Sequence, residues 1–177
     1  MKYDTKNVFT LIKECERFLC DVEVIEELFA IQLRTFDPYL IQQSSLILSK
    51  ISQKNQLAEL LLKDSIFYQL ADWLNSMTTT DDHVVIQNGV DLVKNITAHS
   101  NLHALCITAG LENPVTEMLD SDSLSKVEKK ILLESLSKLE MSKRRNRKQT
   151  MSTHRSTILS QSMVNAEVTE RQNSVLS

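Results

Sequence analysis

Three features of the 177-residue chain predict an all-α solenoid of about three three-helix repeats, with a disordered C-terminal tail. The first is a gapless internal repeat, the second a scarcity of helix breakers, and the third the recurrence of apolar residues at helical spacing. Shifting the chain by 45 residues lays Ser44 to Leu74 over Gly89 to Leu119. Ile51 then matches Ile96, Leu57 matches Leu102, Leu60 matches Leu105 and Leu74 matches Leu119, while Trp73 pairs with Met118 as an apolar equivalent. Two glycines (Gly89, Gly110) and two prolines (Pro38, Pro114) are all the breakers present. That leaves no glycine-rich loop to cradle a phosphate, which argues against a nucleotide-binding P-loop or a dinucleotide fold.

The elements follow in order. A shift of 42 residues pairs Cys15 with Leu57, Phe18 with Leu60 and Leu28 with Leu70, which places a first unit of helices at Lys6 to Cys20, Val24 to Leu33 and Pro38 to Ser52. Asp37 before Pro38 is a helix start: the carboxylate accepts orphan backbone N–H bonds, and proline loses nothing at the next position. The second unit takes Lys54 to Lys63, Ile66 to Asn75 and Asp82 to Ala98, the last capped by the Thr80-Asp81-Asp82 run. The third takes Asn101 to Ala109, Leu111 to Leu119 and Ser125 to Met141, where Ser125 and Glu128 form a capping box. Shifted by 43, Val127, Leu133, Leu136 and Leu139 fall on Val84, Val90, Val93 and Ile96 and form the predicted inward stripe of the last helix. The repeat domain is thus 1–141. From Ser142 to Ser177 the polar composition cannot bury enough surface to offset ordering entropy, and Ile158, Leu159, Met163 and Val164 are its one group with helical spacing.

Charge is divided unevenly. Met1 to Glu140 carries 13 Lys/Arg against 21 Asp/Glu, and Met141 to Ser177 carries 7 against 2, an acidic body of −8 with a basic tail of +5. The three cysteines, Cys15, Cys20 and Cys106, fall on apolar helical faces and read as buried thiols of a reducing compartment. Lys, Glu and Arg interrupt the N-terminal apolar residues, so neither a signal peptide nor a membrane span is expected.

Units of about 42 residues, each with two short helices and a longer third, resemble the armadillo repeat family, with HEAT repeats a near alternative. AGLENPVTEML, Ala109 to Leu119, is similar to the family's glycine-then-amphipathic-helix signature, and LVKNIT, Leu92 to Thr97, to its third-helix ending. The resemblance implies a right-handed solenoid whose third helices line a concave groove, with Asn95 on the asparagine that hydrogen-bonds an extended ligand. Lys50 and Lys138 occupy the equivalent positions, and Leu46, Asp91 and Glu134 stand where importin-α-like proteins carry tryptophan, so a nuclear-signal receptor is not implied.

The partner-binding groove predicted on this basis comprises Gln43, Leu46, Lys50, Asn88, Asp91, Asn95, Ile131, Glu134 and Lys138. Its expected occupant is an extended or helical segment of a protein partner. Ile131, Leu132, Leu133, Leu136 and Leu139 offer more apolar surface than one preceding unit covers, which makes the C-terminal end a place for a homodimer or a partner helix. Lys143, Arg144, Arg145, Arg147 and Lys148 have the form of a nuclear-import signal, and Thr150 lies at a basophilic-kinase spacing from Arg147. Without interleaved aromatics that run supports weak nucleic-acid contact or none, although a chromosome-associated structural role carried by the tail is the rival reading.

His99, His103 and Cys106 offer too few ligands for a metal site, and the turn near Ser100 divides them. Glu26/Glu27 and Asp81/Asp82 diverge by about 100° on a helix and cannot face one substrate. No catalytic residues, cofactor or metal are therefore assigned. The function expected is a non-enzymatic adaptor of the nucleus or cytoplasm.

Overall fold

The computed structural model describes residues 21–147. Every regular element among them is helical: α1 Val22–Arg34, α2 Pro38–Ile51, α3 Asn55–Leu61, α4 Asp64–Ser76, α5 His83–Ala98, a 3-10 turn Ser100–Leu102, α6 His103–Ala109, α7 Glu112–Leu119, and α8 over 126–147. The helix predicted at Lys6 to Cys20 lies outside the described residues. By packing, the chain divides into Met1–Leu139 and Glu140–Ser177.

Local chemistry sets the helix starts. Asp21 accepts from the Glu23 N–H, Asp37 from Tyr39 and Leu40, and Asp82 from Val84 and Val85, each relieving backbone donors that the first turn leaves unpaired. Ser125 Oγ accepts from the Glu128 N–H while Glu128 Oε2 accepts from the Ser125 N–H, a closed capping box at the start of α8. Gly110 ends α6 at φ 85°, a left-handed conformation that costs an L side chain roughly 1–2 kcal/mol.

Packing among the described helices before Glu140 follows a regular order. α1 lies along α2 and α4, α4 along α7, and α2 along α5. One continuous core runs from Ile25 and Phe29 through Trp73, Ile86 and Val93 to Val115, Leu132 and Leu139. Trp73 is enclosed at its centre, edge-on to Phe29 with ring centroids 5.9 Å apart, and its Nε1 donates to Gln32 Oε1 at 2.7 Å. Gln32 Nε2 donates in turn to the Ile41 carbonyl and to Ser44 Oγ, so one amide ties α1, α2 and α4 together.

Two expectations about the last helix are corrected. Its inward stripe is Glu128, Leu132, Ser135 and Leu139, which at the same shift of 43 fall on the buried Val85, Gly89, Leu92 and Ile96. Val127 and Leu133, predicted inward, are 68% and 57% exposed. The box closed by Ser125 and Glu128 turns the helix by about one residue relative to the hydrophobic count, and the buried glutamate is satisfied by the Ser125 N–H. The helix also continues past Met141 through 147, where Arg144 pairs with Glu140 at 3.7 Å.

Candidate interaction surface

Side chains of α2, α5 and the turns after them form hydrogen bonds between residues separated by a near-constant stretch of sequence. Asn88 Nδ2 donates to Ser45 Oγ at 2.8 Å, and Asn95 Nδ2 donates to the Ser49 carbonyl and Ser52 Oγ, both at 3.1 Å. His99 Nε2 donates to the Ser52 carbonyl at 3.2 Å, Asn55 and Asn101 exchange amide bonds, and Gln42 Nε2 donates to Asp82 Oδ2 at 2.9 Å. The partners lie 40 to 47 residues apart. The α2 side of this seam is built of Ser45, Ser49 and Ser52, small residues that let two helices approach while supplying acceptors.

The seam corrects the predicted groove. Asn88 and Asn95 spend their amide donors inside the molecule, and Asn88 is buried. Neither is held out toward a ligand. The outward row of α5 is instead Val84, Gln87, Asp91 and Lys94, at alternating steps of three and four, with Asp91 and Lys94 3.9 Å apart. Of the predicted α5 positions only Asp91 belongs to it. On α2, Gln43, Leu46 and Lys50 are exposed, and Tyr39 joins them at 67% exposure. Glu134 and Lys138 are exposed on α8, Ile131 is half-buried, and Lys130 approaches Glu134 at 4.0 Å.

The predicted apolar C-terminal end is largely covered. Leu132 and Leu139 are buried, and Ile131 and Leu136 pack against the core, leaving Leu133 outside. Lys143 to Arg147 stand on the continuation of α8 rather than on an extended segment, while Lys148 and Thr150 lie outside the described residues.

The polar residues of the His99–Cys106 stretch have structural uses. His103 Nε2 donates to the Thr97 carbonyl at 2.9 Å, and burial pushes the Cys106 thiol up to about 12. At Asp82, burial alone would raise the carboxyl. The bonds from Gln42, Val85 and Val84, with His83 adjacent, outweigh it and hold the group below its ordinary value. Glu26 is half-buried, Glu27 and Asp81 are exposed, and no group of three or more metal-ligating side chains converges among the described residues. No described helix is long and apolar enough to cross a membrane.

Compared with known proteins, the chain matches no family model, no curated protein and no solved structure.

Proposed function

We propose that this chain is a non-enzymatic protein-interaction adaptor, built as an armadillo-like right-handed α-solenoid of three units and working without metal or cofactor. The stacking of second helices α1, α4 and α7, and of third helices α2 and α5, supports that arrangement, as do the cross-unit hydrogen bonds at one repeat length. The carrying observation is the outward surface of α2 and α5. Tyr39 and Leu46 stand exposed on one helix, and Gln87 and Lys94, with the half-buried Asp91 between them, on the helix packed beside it. Apolar contact there supplies affinity, and the amide and charged groups fix the register of a bound segment. The basic residues Lys143 to Lys148 serve nuclear import in this reading, so the adaptor works in the nucleus.

The test uses the full chain as bait in proximity labelling, beside a Gln87→Arg/Asp91→Arg variant. Gln87 is exposed and Asp91 half-buried at the edge of the same row, so the thermal melt should shift little while the captured protein set contracts. An unchanged set would remove the α5 face from the proposal. Deleting residues 143–148 from a fluorescent fusion should shift it to the cytoplasm, and persistent nuclear signal would end the import reading.

A further inference from the structure

We propose that Asn88–Gly89 is a latent site of spontaneous deamidation, kept closed by the packing of α5, and that its conversion permanently disables the α2–α5 seam. The inference is independent of the adaptor reading.

Asn88 is the one asparagine of the chain that is followed by glycine. With no side chain on the next residue, nothing hinders its backbone nitrogen from reaching the asparagine carbonyl carbon, and the pair is prone to cyclise. Such a glycine is out of place in mid-helix, where alanine is preferred. Two separate contacts account for the pair. A Cβ on Gly89 would overlap both Sδ and Cε of Met77, so any larger residue would have to push a buried thioether from its place. Asn88, 8% exposed, gives its amide to Ser45 Oγ at 2.8 Å. Packing demands the glycine, and the seam demands the asparagine.

Those atoms define the reaction. The Gly89 nitrogen attacks Asn88 Cγ, the Cγ–Nδ2 bond breaks, and ammonia leaves with the proton that the attacking nitrogen gives up. Water then opens the cyclic imide at one of its two carbonyls and leaves aspartate or isoaspartate at position 88. Neither an oxidant nor an enzyme is needed. Within α5 two restraints prevent the first step: the Gly89 N–H is held in the helical hydrogen-bond ladder, and Ser45 holds the Asn88 amide. Local opening of α5 releases both.

The product does not fit the place it came from. Ser45 Oγ donates its own hydrogen to the Gln42 carbonyl at 2.8 Å, so it has only lone pairs to offer α5. An amide N–H suits it, whereas a carboxylate sets oxygen against oxygen at a buried position. Isoaspartate does more damage, because it routes the main chain through the former side chain and adds a methylene to the helix. A chain that has dwelt open therefore loses the means of closing again.

The test holds the full chain under reductant at one mildly alkaline pH, in native buffer and in guanidinium chloride above its unfolding midpoint. Peptide mass mapping and an isoaspartate-specific methyltransferase assay follow the products. Denatured chains should show the amide-to-acid mass gain at Asn88 ahead of Asn101, which precedes leucine. Native buffer should slow the conversion by about 10³-fold or more, the scale of the folded-to-unfolded ratio in an ordinary domain. After dilution from denaturant, the refolded fraction should keep the amide, and converted chains should collect in the fraction that regains no helix. Refolding yield of the parent should fall in step with conversion, while Asn88→Ser, incubated alike, should lose none. If that variant does not fold, the partition of the parent's own chains between the two fractions decides. Equal rates in the folded and unfolded chain, or converted chains spread evenly through the refolded fraction, overturn the inference.

Discussion

Asp82 shows how much of this molecule depends on single polar atoms. Its carboxylate caps α5 through Val84 and Val85 and receives the Gln42 amide from α2, so one side chain both starts a helix and joins it to another. Because its folded pKa lies below the unfolded value, its contribution to stability is complete above the ordinary aspartate range and is lost as the pH falls through the lowered value. Asp82→Ala should cost about 1 kcal/mol in urea denaturation at pH 7, with the difference from the parent chain shrinking below about pH 4. Trp73 is a second such point. Gln32→Leu removes the acceptor for a buried indole N–H, and the predicted loss is about 1–3 kcal/mol, whereas Trp73→Phe/Gln32→Leu should lose less than the two single changes added together.

At the scale of the element, the α2–α5 seam separates two readings of the asparagines. If Asn95 served a ligand, Asn95→Ala would leave the melting curve in place and alter binding alone. Bonded to Ser49 and Ser52, it should instead lower stability by about 1–2 kcal/mol, while Lys94→Ala, one residue away and exposed, should stay within about 0.5 kcal/mol. The helices themselves were legible because caps and apolar spacing agree: Asp37-Pro38 and Ser125 with Glu128 mark starts that the structure reproduces. What could not be read was rotation about each helix axis. Asn88 and Asn95 are polar and so read as outward, yet serines on α2 give them partners, and that complementarity exists only once the two helices lie side by side. Likewise Val127 and Leu133 match the apolar count, but the polar residues Glu128 and Ser135 go inward because Ser125 N–H and the Ile131 carbonyl satisfy them.

For the molecule as a whole, one core extends from α1 to the last helix, so damage at one end is felt at the other. Leu132→Ala, at a fully buried position on α8, should cost about 2–5 kcal/mol and lower the temperature at which the Trp73 environment is lost, measured by tryptophan fluorescence. Separate transitions for Trp73 fluorescence and total helix content would show instead that the units melt independently. Cys106 gives a chemical readout of the same cooperativity. Enclosed, and with its thiol held protonated, it should resist alkylation at neutral pH until denaturant opens the core.

The serine seam bears on what would follow a cut in the polypeptide. The stretch between Thr79 and Asp81 joins α4 to α5 in sequence, but α2 and α5 are fastened to each other sideways by Ser45, Ser49 and Ser52 meeting Asn88 and Asn95. A protease nick there would sever the backbone and leave that fastening intact, so the two fragments should remain associated and, when produced separately, find each other again.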